Sequence, residues 1–99
     1  MDIIKDFVIQ ELNKILAECA SVERAVLFGS RARGDNKERS DYDVAIFGNV
    51  SPEDKLHIFL RCEDLPTLLK IDLAYINELA QDKFLENILK EGIVFYDRT

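Results

Sequence analysis

Ninety-nine residues make one small domain, 1–99, with room for a modest core but none for two lobes and a cleft between them. Apolar residues (47%) and charged residues (32%) stand at ordinary globular levels, and no apolar run approaches the length of a membrane span. A net charge of −6 excludes a broad basic surface for duplex nucleic acid, so any anion must be met by a local patch.

The first stretch, MDIIKDFVIQELNK, carries acids inside its apolar pattern and lacks the basic start and small-residue cleavage site of a signal peptide, so a cytoplasmic location is expected. Ile3, Ile4, Phe7, Val8, Leu12, Ile15 and Leu16 recur at three- and four-residue steps and predict a first helix, with Asp2 as its cap and an end near Ala20. Arg24–Ser30 is nearly continuously apolar, the pattern of a strand buried on both faces. Asp41–Phe47 alternates, with Asp41 and Asp43 on one face and Tyr42, Val44 and Ile46 on the other. Ser51, Pro52 and Asp54 form a helix start, and that helix is expected to run to about Cys62.

Leu69–Ile76 alternates again, with Leu69, Ile71, Leu73 and Tyr75 opposite Lys70, Asp72 and Ala74. Asn77 is then positioned to cap a helix carrying Leu79, Phe84, Leu85, Ile88 and Leu89, stopped by Gly92 before a last strand, Ile93–Tyr96. The alternation predicts a small α/β domain with one sheet. Cys19 and Cys62 have no metal-ligand spacing and read as two buried free thiols.

The chemistry concentrates in GSRARGDNKERSDYD, residues 29 to 43. Gly29 and Ser30 follow a strand and open a turn, where a glycine, a hydroxyl and free backbone N–H groups suit a phosphate. Asp41 and Asp43, two apart on a strand, have Cα atoms roughly 7 Å apart on one face and can share divalent cations. Asp72 joins them if its strand is adjacent and in register. Arg31, Arg33, Lys37 and Arg39 lie between turn and carboxylates; Arg31 and Arg39, closest to the motif ends, are the preferred phosphate partners. His57 and Tyr42 are read as structural.

Gly29-Ser30, ten intervening residues and Asp41-x-Asp43 resemble the signature of the DNA polymerase beta-like nucleotidyltransferase superfamily, and "GSRARG…SDYDVAI" resembles its minimal nucleotidyltransferase branch. The resemblance implies a mixed sheet with helices mainly on one face, a nucleoside triphosphate donor, for which ATP is expected here, and two magnesium ions. It implies that Gly29 and Ser30 hold the triphosphate. It further implies that Asp41, Asp43 and Asp72 hold metal, Asp72 also helping to deprotonate the attacking hydroxyl. Minimal members resemble antitoxins that pair with a small helical HEPN-domain protein, some by adenylylating its tyrosine. A HEPN-type partner and AMP transfer to it are therefore expected, with a homodimer as the other assembly considered. One subunit of a split small-molecule nucleotidyltransferase and an antitoxin acting by occlusion are the two alternatives. No helix-hairpin-helix module is present to hold DNA, so repair polymerase activity is not expected.

Overall fold

The computed structural model describes residues 5–76 and 83–98. Its elements run α1 (Phe7–Ala17), β1 (Arg24–Phe28), α2 (Ser30–Arg33), β2 (Tyr42–Phe47), α3 (Pro52–Glu63), β3 (Ile71–Ile76), α4 (Lys83–Glu91) and β4 (Ile93–Asp97). The strands form one mixed sheet in the order β3-β2-β1-β4, with β1 antiparallel to both neighbours and β2 parallel to β3. No helix among the described residues is long and apolar enough to cross a membrane.

The alternation in each strand sorts its side chains between two layers. Ala25 and Leu27 of β1, and Tyr42, Val44 and Ile46 of β2, pack with Leu12, Ile15 and Leu16 of α1 and Ile58 of α3. On the opposite face Val26, Ala45 and Ile76 meet Ile88 of α4. Two long helices thus cover one face and α4 covers part of the other, leaving room on that second face for polar groups. Gly92 ends α4 with its N–H donating to the Ile88 carbonyl (2.8 Å), and a Cβ there would collide with Val26.

Several boundaries differ from the sequence expectation for local reasons. Asp6 caps α1, accepting from the Ile9 N–H (3.1 Å); its other carboxylate oxygen accepts the Tyr42 hydroxyl at 2.8 Å, which ties the helix start to β2. The helix stops at Ala17 rather than near Ala20 because the N–H of Glu18 bonds back to Ile15. Asp2, Ile3, Ile4, Asn77, Leu79 and the Phe84 side chain lie outside the described residues. Ser51 caps α3 as expected, its hydroxyl accepting from the Asp54 N–H (3.1 Å), with Pro52 opening the helix.

His57 and Arg61, one turn apart on α3, both hold Glu18 (2.9 and 2.7 Å), and this pairing lowers the pKa of the Glu18 carboxyl. Both cysteines are free; Cys19 is buried and Cys62 half-buried, and burial pushes the Cys62 thiol up to about 11.

Candidate active site

The turn after β1 has two independent reasons for its glycine. Gly29 has φ of 74°, a conformation in which a side chain is strained. A Cβ at Gly29 would also run into the carboxylate of Asp43. The register explains the contact, because Phe28, the last residue of β1, pairs with Asp43 of β2. Ten residues of intervening chain therefore return the aspartate to the turn that precedes it. The N–H groups of Ala32 and Arg33 both donate to the Gly29 carbonyl (3.1 Å each), winding α2 into a single turn that starts at Ser30. The Ser30 hydroxyl has no hydrogen-bond partner among the described residues and is available to a ligand.

On the other side of β2, Asp43 pairs in register with Asp72 of β3. Parallel strands in register put these two side chains on the same face, a strand spacing of roughly 5 Å apart. Asp41 is exposed and lies immediately before β2. The pKa of Asp43 is raised by burial, then by the negative charges of Asp72 and Asp41, and is partly restored by Arg33. Asp43 is thus the electrostatic centre of the group. Lys70 reaches Asp72 (Nζ to Oδ1, 3.3 Å), and among the described residues no three acidic, histidine or cysteine side chains are drawn together as a metal cage. The donor chemistry nevertheless suits a hard divalent cation: Asp41, Asp43 and Asp72 offer only carboxylate oxygens, and Asp43 stands under a repulsion from the other two that such a cation would relieve.

The basic residues separate by face. Arg31 is 6% exposed, stacks on the Tyr42 ring at 4.0 Å, and donates to the Ser40 carbonyl from Nε (3.0 Å) and Nη2 (2.8 Å) and to the Glu38 carbonyl from Nη2 (3.3 Å). Tyr42 belongs to the core face, so Arg31 is not brought together with the carboxylates; it braces the loop that carries residues 38–40. Arg39 is exposed, with no partner among the described residues. Arg33 is the cation that acts on Asp43, and it also pairs with Asp35 (3.2 Å) and with Glu91 of α4 (3.4 Å). Sequence reasoning weighed Arg33 without preferring it. The signal was present in the helical spacing: Arg33 lies three residues after Ser30, on the same side of a one-turn helix, whereas Arg31 is rotated toward the far face.

The family model described as polymerase beta, nucleotidyltransferase matches residues 10–99. Two Methanocaldococcus jannaschii proteins are similar over most of their length. One, named "Putative protein adenylyltransferase MJ0604", is 34% identical over 85 residues, covering 76% of this chain and 79% of its own. The other, "Putative protein adenylyltransferase MJ0128", is 31% identical over 94 residues, covering 93% of each chain. The fold matches a crystal structure of a toxin–antitoxin with AMP-PNP at a TM-score of 0.67 and 16% identity, over 92% of this chain and 74% of that one.

Proposed function

The chain belongs to the polymerase beta nucleotidyltransferase family and is a nucleotidyltransferase, and on that premise we propose that it transfers AMP from ATP to a hydroxyl of a protein partner. The reading rests on one observation above the others: the register that puts Asp43 beside Asp72 on one side and against Gly29 on the other. Carboxylates and a phosphate-suited turn meet where β1 ends and β2 and β3 begin. The M. jannaschii relatives named as protein adenylyltransferases support a protein as acceptor, and the fold shared with a toxin–antitoxin structure supports the antitoxin role.

In this reading Gly29 and Ser30 receive the triphosphate, with Arg33 neutralising it from the carboxylate side. Arg39 is free to swing toward the same charge. Asp41, Asp43 and Asp72 would hold two magnesium ions, which when bound neutralise the phosphates and stabilise the entering and leaving oxygens. The acceptor oxygen bonds to the α-phosphorus while the bond from that phosphorus to the oxygen bridging toward the β-phosphate breaks. Pyrophosphate leaves, and the acceptor proton passes to a base, the role this reading gives to Asp72 of β3. The partner is taken to be a small helical protein of the HEPN type, with a tyrosine as acceptor. Leu56, Phe59 and Leu60 of α3, each more than half exposed, offer it an apolar helix face.

The test is intact-mass spectrometry of the partner co-expressed with the chain. One or more AMP additions on the partner, absent with Asp41→Asn/Asp43→Asn, is the expected result. A stable complex without modification would favour occlusion, and no complex at all would favour a small-molecule acceptor.

A further inference from the structure

Asp41 lies outside the strand ladder that holds Asp43 and Asp72. The pairing of β1 with β2 ends at Phe28 opposite Asp43, so the chain at Asp41 has already run past the end of β1. On the other side the pairing of β2 with β3 starts at Tyr42, whose N–H donates to the Lys70 carbonyl (2.9 Å). The peptide after Asp41 is thereby fixed, and the peptide before it depends on other groups. An exposed carboxylate at the end of a loop otherwise samples many positions, and a ligand has to be ordered before it can hold an ion.

Ser40 supplies that anchor, because each of its polar groups is used. Its N–H donates to the Lys37 carbonyl (3.1 Å) and its hydroxyl accepts from the Lys37 N–H (2.8 Å), which closes a tight turn. Its carbonyl, part of the peptide that joins it to Asp41, accepts from Nε and Nη2 of Arg31 (3.0 and 2.8 Å). Arg31 is itself held from below, over the ring of Tyr42, whose hydroxyl donates to the Asp6 cap of α1. Among the described residues no carboxylate forms a salt bridge with this buried guanidinium. A buried cation satisfied by carbonyls is a costly way to fill a core. It is a good way to hold a loop, since the planar fork fixes the direction of several bonds at once.

We propose that Arg31 is a positioning residue for metal binding: from the core side of the sheet it fixes the Ser40–Asp41 peptide and so keeps the Asp41 carboxylate in place for the cation that Asp43 and Asp72 also hold. This rests on the reading of the three aspartates as metal ligands and goes beyond it, since Arg31 bonds to none of them. The charge of Arg31 and its geometry act in opposite directions. A positive charge near a cation site disfavours the ion, so removing the charge alone would tighten metal binding. Releasing the loop frees Asp41 and weakens metal binding. The sign of the change therefore separates the two.

The test is binding of Mn2+, a paramagnetic cation with the oxygen preference of Mg2+, to the full chain, followed by electron paramagnetic resonance without nucleotide. The natural chain is set beside Arg31→Met, Arg31→Lys and Val22→Ala, each well below its own Tm. Val22 is fully buried at the opposite end of the sheet, where β1 begins beside Phe47, and its truncation lowers stability away from the loop. Arg31→Met should weaken Mn2+ binding about tenfold or more. Arg31→Lys, which keeps the charge and loses the fork, should weaken it about threefold, and Val22→Ala should stay within about twofold of the natural chain. Amide exchange at Ser40 and Tyr42 should quicken in Arg31→Met and not in Val22→Ala. Undiminished or tighter Mn2+ binding by Arg31→Met, or equal weakening in Val22→Ala, would overturn this inference alone. If Arg31→Met does not fold, Arg31→Lys decides in its place: undiminished affinity overturns the inference and a loss supports it. No Mn2+ binding by the natural chain, or binding indifferent to Asp43→Asn, would overturn the reading of the aspartates as ligands and this inference with it.

Discussion

Two arginines two residues apart have opposite tasks, and substitution separates them. Arg31 is buried with its guanidinium committed to two carbonyls and a ring, so Arg31→Ala leaves those carbonyls without donors and should cost about 2–4 kcal/mol in chemical denaturation. Arg33→Ala, on a side chain 45% exposed, should leave stability within about 0.5 kcal/mol and raise KM for the nucleotide. Equal loss of stability in both variants would contradict the division. Tyr42 provides a pH test on the same loop. Burial and then the hydrogen bond to Asp6 push its hydroxyl up to about 12. An acid whose folded pKa is raised keeps its proton in the folded state while the unfolded chain ionises. Stability should therefore fall as pH rises from about 10 toward 12, and Tyr42→Phe should remove that alkaline slope while costing about 0.5–1.5 kcal/mol at neutral pH.

At the scale of elements, the β1–α2 turn and strand β2 are a single functional unit, because Asp43 packs against the turn. Gly29→Ala confronts a positive φ and the carboxylate of Asp43 together. It should destabilise by about 1–3 kcal/mol and reduce turnover more than a surface substitution of equal cost, since relief of the clash displaces Asp43. Thermal unfolding set beside nucleotide-transfer rates would show this; an intact rate at reduced stability would contradict it. Helix α3 combines both kinds of signal: Ser51 and Pro52 mark its start locally, while the Asp54 carboxylate accepts from the Ser21 N–H (3.1 Å) and hydroxyl and the Ser51 N–H donates to the Ser21 hydroxyl (3.0 Å), tying that start to the turn after α1.

Across the whole molecule, the sheet sets Asp43 beside Asp72, with Asp41 just ahead of β2. Asp43 holds its proton to higher pH than the ordinary 3.8 because of burial and of Asp72 and Asp41. Removing its charge should accordingly stabilise the metal-free protein at neutral pH. Asp43→Asn is expected to gain up to about 1 kcal/mol and a few degrees in Tm, while losing nucleotide transfer. Calorimetry without and with magnesium checks both halves: the cation should raise the Tm of the natural chain and leave the variant largely unmoved. A variant less stable than the natural chain in the absence of metal would show that the three carboxylates are not in conflict.

The sequence by itself determined the local pieces. Period-two alternation put Asp43 on the face opposite Tyr42, Ser51 and Pro52 marked a helix start, and Gly29-Ser30 with Asp41-x-Asp43 named the family. These features are legible because each depends on contacts within a few residues. The start of α1 was not, because Asp6 serves both as cap and as acceptor for Tyr42, a residue 36 positions away. Nor was the choice of Arg33, which depends on the side of β2 against which α2 packs. The pairing of Asp43 with Asp72 was decided by the tertiary structure alone. A slip of one residue would have sent Asp72 to the core face; the packing of Ile71, Leu73 and Tyr75 against the layer beneath α1 and α3, with the β2–β3 backbone ladder, holds the register in place.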